Sequence, residues 1–164
     1  MGFLNNVINK IKEQPQKEGL LEQGISPQDI PLPNNLTFKV AGVNYRMEQV
    51  YKLATPMKKW NMTNEQLLKQ YPGKRIYKYY FTNEPVALVP EPTNQNDPNA
   101  IKVMINNIHV GYVPNDLCII VKRIMQGSCT LSSKFSGGEY KVVFDDGSAK
   151  SFADRVSIEV TITR

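Results

Sequence analysis

The chain has 164 residues, 41% of them hydrophobic and 21% charged, which is enough apolar material for one core and too much for overall disorder. Its formal charge of +5 is uneven: residues 1–35 hold three bases (Lys10, Lys12, Lys17) against four acids, whereas residues 46–81 hold eight bases against two acids. Such a local excess attracts polyanions, and because the longest apolar run falls far short of the ~20 residues that cross a bilayer, no membrane partner is expected.

Phe3, Leu4, Val7, Ile8 and Ile11 recur at helical spacing and predict a short amphipathic helix that stops before Pro15. Docking on the body or self-association is the expected use of its apolar stripe, since Lys10 and Lys12 are too few bases for a membrane surface. Asn5, Asn6 and Asn9 interrupt any secretory signal, and with two cysteines in no ligand or disulfide pattern the expected compartment is the reducing cytoplasm. Residues 14–35, rich in Gln, Pro, Gly and Asn, read as a linker. The domain division is therefore 1–35, helix and linker, and 36–164, body.

In the body, Phe38 and Val40 predict a strand turning at Gly42, and Met47, Val50, Tyr51 and Ala54 a helix. Thr63 and Gln66 form a capping box ahead of Leu67 and Leu68, closed by Pro72-Gly73. The aromatic, basic run Arg75–Phe81 and the apolar run Val86–Val89 predict two strands joined by a turn at Thr82-Asn83-Glu84. Ala100–Ile105 and Ile108–Val113 alternate around Asn106-Asn107, a two-residue primed turn that sets Ile105 opposite Ile108, Val103 opposite Val110 and Lys102 opposite Gly111. A helix is predicted over 115–126, capped by Asn115 or Asp116, with Leu117, Val121, Ile124 and Met125 buried and Gly127 as terminator. Short strands follow near Thr130–Phe135, Tyr140–Phe144 and Val156–Thr163, broken at Gly137-Gly138 and Asp145-Asp146-Gly147. The expected fold is mainly β with two or three helices, a small partly open barrel.

Covalent chemistry finds little support. His109 is the one histidine, Cys118 sits in an apolar run as a small hydrophobe, and Cys129 has no activating neighbours. Zinc needs more Cys and His ligands than the chain has, and no phosphate-binding or nucleophile-elbow motif occurs. Asp145-Asp146-Gly147 lacks the later ligands of a calcium loop, and Asp97 with Asp116 fits structural roles better than an acid pair. No catalytic residue, metal or cofactor is expected.

The segment from Val89 to Ala100 is different, because three Pro, three Asn, two acids and a Thr lie between apolar strands. Such a loop is costly to order unless its amides and carboxylates bond its own backbone. Leu88, Glu91-Pro92, Asn94, Asp97, Asn99-Ala100-Ile101, Val103 and Val110-Gly111-Tyr112-Val113-Pro114 together resemble the signature of the HIRAN domain, a module fused to Swi/Snf-type DNA-dependent ATPases and also found alone in bacterial and phage proteins. Weaker similarity at Phe38–Val43, Ile76–Phe81 and Gly137-Gly138 extends the resemblance over most of 36–164, with a stand-alone bacterial or phage type as the expected member.

The resemblance implies an OB-like barrel that binds single-stranded DNA and captures its 3′-hydroxyl end. It implies that Asp97 accepts a hydrogen bond from the terminal hydroxyl, that Asn99 and Ala100 complete the pocket, and that Tyr112 faces the end nucleotide. Lys74, Arg75, Tyr77 and Tyr79 fall in the basic, aromatic strand that would supply phosphate contacts and stacking, and Asn94 and Lys102 flank the pocket. Asn96 stands where the family often has an aromatic residue, so one stacking ring is replaced by an amide. The implied partners are single-stranded DNA or DNA 3′ ends and a DNA-processing protein; a protein-interaction scaffold without nucleic-acid binding is the alternative.

Overall fold

The computed structural model describes residues 30–82 and 84–164; the helix expected over residues 3–11 lies outside them. In chain order the elements are β1 (Asn35–Lys39), a 3-10 turn (Val43–Arg46), α1 (Met47–Tyr51), β2 (Ala54–Pro56), a 3-10 turn (Lys58–Asn61), α2 (Asn64–Gln70), β3 (Ile76–Tyr77), β4 (Tyr79–Phe81), β5 (Val86–Pro90), β6 (Ile101–Ile105), β7 (Ile108–Tyr112), a 3-10 turn (Asn115–Leu117), α3 (Cys118–Ile124), β8 (Thr130–Val143) and β9 (Ala149–Thr163). The described residues are thus mainly β with three short α-helices.

The strands form three sheets, ordered β1-β9-β8-β3, β2-β4 and β5-β6-β7. They stay open: an antiparallel bridge between Ala41 and Tyr112 carries the chain beyond β1 onto β7 without closing a barrel. Alternation on β9 buries Val156, Ile158, Val160 and Ile162 against Leu36 and Phe38 of β1, Ile101, Val103 and Ile105 of β6, and Cys118, Val121 and Ile124 of α3. The Cys118 thiol is spent in this core. A smaller cluster of Leu67, Ile76 and Val143, flanked by Met62, Leu68 and Tyr71, packs α2 beneath the far half of the β8–β9 hairpin.

Several elements depart from the sequence pattern. The strand expected from Arg75 to Phe81 splits at Lys78, whose N–H donates to the Glu139 carbonyl and whose carbonyl accepts from Met57 N–H; the backbone thereby passes from β8 to β2. The first helix ends at Tyr51, and Ala54 opens β2. Neither Asn115 nor Asp116 caps the third helix, which enters through a 3-10 turn after Pro114. Three expected C-terminal strands are two long ones, because Gly137-Gly138 is a β-bulge and not a break. At Gly137 (φ 82°) a Cβ would overlap the Arg155 carbonyl oxygen, so glycine lets the strand continue through the bulge.

The β6–β7 hairpin turns at Asn106 (φ 47°) and Asn107 (φ 62°), the predicted primed turn, and Ile105 faces Ile108. Met104 still faces His109, but beyond that pair a bulge shifts the register, so that Val103 faces Gly111 rather than Val110 and Lys102 faces Tyr112 rather than Gly111. Gly111 is where another backbone approaches, since a Cβ there would overlap the Ala41 carbonyl oxygen and lie 2.6 Å from Val40 Cγ1.

Candidate nucleic-acid interface

The loop between β5 and β6 is held by its own side chains. Asn94 Oδ1 accepts from the N–H of Asn96 (3.0 Å) and of Asp97 (3.1 Å), and Asp97 Oδ1 accepts from Asn99 N–H at 2.8 Å. Ala100 is buried and contributes backbone: its N–H donates to the Asp97 carbonyl and its carbonyl accepts from Glu91 N–H. Lys122 of α3 donates to Asn99 Oδ1 at 3.0 Å, tying the loop to the helix. These are the short Asx contacts that let an amide-rich loop order without strands of its own.

Glu91 is the hub at the mouth of the loop. Its carboxylate takes Lys102 Nζ at 2.6 Å, Asn94 Nδ2 at 2.8 Å and the Tyr112 hydroxyl at 3.1 Å. Lys102 first and Asn94 next hold the Glu91 carboxyl at about 2, below its ordinary 4.5. Lys102 is therefore a staple across the loop, its charge matched by Glu91 before any phosphate arrives. That pairing was not legible in the sequence, because it depends on β5 and β6 pairing across the long loop so that Val89 faces Lys102, while the β6–β7 register shift adds Tyr112 to the same carboxylate.

Around Tyr112 stands a second group. The Arg46 guanidinium carbon lies 5.5 Å from the Tyr112 ring centre, and the His109 ring packs edge-on at 4.8 Å with Nε2 at 2.9 Å from the Gly111 carbonyl. Burial first, then the Arg46 charge, lowers the His109 pKa, so the ring is neutral at pH 7 and donates through Nε2. The turn Val43–Arg46 is entered through Gly42 (φ 77°) and pinned by Arg155 Nε on Asn44 Oδ1 at 2.8 Å. It presents Tyr45 at 95% exposure, beside Arg46, which makes no ion pair among the described residues. Neither residue was singled out from the sequence; an adjacent ring and cation two residues past Gly42-Val43 was the available signal.

Asp97 itself is half-buried, with one oxygen committed to the Asn99 turn and the other, Oδ2, taking no hydrogen bond or cation among the described residues. The Asn96 side chain is exposed and makes no hydrogen bond among the described residues.

Lys74, Arg75, Tyr77 and Tyr79 have other neighbours. Arg75 pairs with Asp154 at 2.9 Å and covers the Tyr140 ring at 4.6 Å, Tyr77 packs on Tyr140 at 5.4 Å, and Tyr79 packs on Tyr51 at 5.5 Å. Lys74 is exposed and its side chain takes no partner among the described residues. Among the described residues no hydrogen bond, ion pair or ring contact joins these four directly to the Glu91–Lys102 loop. The structure thus gathers Asn94, Asp97, Asn99, Ala100, Lys102 and Tyr112 into one site and leaves the basic strand in a second.

Among the described residues no group of three or more His, Cys, Asp or Glu side chains could hold a metal ion, and no helix is long and apolar enough to cross a membrane. The described residues thus form an open, β-rich body whose self-bonded loop reaches, through Tyr112, an arginine next to an exposed tyrosine. Residues 34–161 match the HIRAN domain family, and the chain belongs to that family, which is known for nucleic-acid binding. The crystal structure of the HIRAN domain of human HLTF is similar at 20% identity, covering 80% of this chain and 77% of that one with a TM-score of 0.31. No curated protein matches the chain.

Proposed function

We propose that the module binds single-stranded DNA and captures its 3′-hydroxyl end at the Asp97 loop. The observation that carries this is the state of the Asp97 carboxylate: Oδ1 is fixed by Asn99 N–H, so the group is oriented, while Oδ2 is unengaged among the described residues. An oriented carboxylate accepts a hydroxyl proton strongly and repels a phosphate, which is the discrimination an end-binding site needs. Tyr45 supplies a ring on which the terminal base stacks, Arg46 a cation for the adjacent phosphate, and Asn96 an amide for a base edge. Tyr112, held by Glu91, forms the wall behind them. The free thiols Cys118 and Cys129 suit a reducing cytoplasm.

Fluorescence anisotropy with strands ending in 3′-hydroxyl, 3′-phosphate or 5′-phosphate tests this reading. A charged hydrogen bond contributes roughly 1.5–3 kcal/mol, so the 3′-phosphate strand is expected to bind more than about tenfold more weakly than the other two. Asp97→Asn is expected to erase that difference. Equal affinity for all three strands removes end capture, and no saturable binding at low salt leaves the protein-scaffold alternative.

A further inference from the structure

The face that carries Lys74 and Arg75 has its own architecture. Residues 57–79 contain six bases (Lys58, Lys59, Lys69, Lys74, Arg75, Lys78) and one acid, Glu65. Met57, Lys59, Tyr71, Lys74, Arg75, Ile76 and Tyr77 line a cleft of about 220 Å³. Three cations and two phenol rings stand over an apolar floor, and no carboxylate lines it. Lys59 Nζ lies 4.2 Å from the Tyr71 ring centre, and only Arg75 among the three cations has a carboxylate partner among the described residues. The volume is below the ~300–1,000 Å³ of enclosed small-molecule sites, which suits one unit of a longer chain, a phosphate with part of a base.

Two groups of ring and cation contacts, one at Tyr112 and one beside this cleft, lie at the two ends of α1. Arg46 covers Tyr112; α1, which begins at Met47, ends at Tyr51; Tyr51 packs on Tyr79. Lys78 Nζ, paired with Glu139 at 2.8 Å on a partly exposed face, lies 5.6 Å from both the Tyr79 and Trp60 ring centres, and Lys141 Nζ, which donates to the Trp60 carbonyl at 2.7 Å, lies 5.1 Å from the Trp60 ring. Alternating aromatic faces and cations are what a sequence-tolerant single-strand track requires, since every base has a face to stack and every step a phosphate to neutralise.

We infer that the cleft between Lys59, Tyr71, Lys74 and Tyr77 is a second single-strand subsite, occupied by nucleotides upstream of the captured end. The inference rests on the proposed end capture only for the direction of the strand. Affinity for single strands then depends on length: a strand of about 4 nucleotides fills the Asp97 site, and one of about 16 nucleotides reaches the cleft, within the range of known single-strand modules.

The test uses the full chain and its Lys59→Ala/Lys74→Ala variant, with Lys74→Glu as a second variant and thermal unfolding as the check on folding. For the longer strand, both variants are expected to bind about tenfold more weakly, and the double variant's log Kd against log salt is expected to flatten by about 1.4, at ~0.7 per lost phosphate contact. For the shorter strand, affinity and the preference for 3′-hydroxyl over 3′-phosphate are expected to stay unchanged. Equal losses at both lengths, or no loss at either, overturn the second subsite. If the longer strand loses affinity while neither length distinguishes the blocked ends, the cleft stands as a binding site and end capture falls.

Discussion

Glu91 gathers Lys102, Asn94 and the Tyr112 hydroxyl onto one carboxylate inside the β5–β6 loop, whereas on the β8–β9 hairpin Glu139 and Asp154 each hold a single cation on a more open face. The loop region is bonded inward, to its own backbone, to α3 and, through Tyr112, to the backbone of Ala41 beyond β1. The hairpin region rests on a small cluster of Leu67, Ile76 and Val143 and turns its rings and bases outward. A multiply bonded carboxylate fixes geometry, while isolated exposed ion pairs add little stability and leave their cations open to exchange partners. One region is built for shape and the other for charge.

The widest separation between the two is expected from Gly111→Ala, which pushes a methyl group into the Ala41 carbonyl that anchors the loop region to β1. Roughly 3 kcal/mol of stability should be lost, as overpacking and backbone strain combine, with amide shifts at Tyr45 and Arg46 larger than at Leu67. Urea unfolding and NMR spectra check both parts; a uniform shift pattern would sink the idea of two separately anchored regions.

Acid sharpens the contrast next. Because Glu91 is held near about 2 when folded and titrates near 4.5 when free, the unfolded chain binds the extra proton below that pH. Its stabilisation is complete above pH 4.5 and is lost as pH falls toward about 2. Glu91→Gln is expected to flatten this part of the acid unfolding profile, measured as urea midpoints between about pH 6 and about pH 2.5. Parallel profiles for the two proteins would show that the hub carries no pH-dependent stability.

The hairpin region has a smaller handle in its capping box, where Thr63 Oγ1 accepts from Gln66 N–H at 3.3 Å and Gln66 Oε1 accepts from Thr63 N–H at 3.1 Å. Thr63→Ala should cost about 1 kcal/mol and leave any discrimination between DNA ends unaltered. Smallest of all, Lys74→Ala is expected to change stability by less than about 0.5 kcal/mol, as an exposed surface substitution; a larger loss in thermal unfolding would mark Lys74 as structural.

Many short-range signals were read correctly, although the cap expected at Asn115 or Asp116 is replaced by a 3-10 entry. Asn106-Asn107 makes the primed turn, Thr63 and Gln66 make the capping box, and Cys118 is core. The spacing of Glu91, Asn94, Asp97 and Asn99 also marked a loop that bonds itself. What escaped were events with a distant partner. Lys78 passes between two sheets because Glu139 and Met57 lie on either side of it, and Gly137 continues a strand because Arg155 is across from it.

The sequence by itself determined the composition of both regions, the turn chemistry and the family motif, because these depend on residue types a few positions apart. Tertiary structure alone decided which charges are matched and which are open. Lys102 and Lys74 are both lysines near aromatic rings, yet one is neutralised by Glu91 and the other stands in solvent. A charge's availability depends on what folding brings within a few ångströms of it, and the antiparallel pairing of β5 with β6, which sets Val89 opposite Lys102 and Glu91 just beyond, settles that for Lys102.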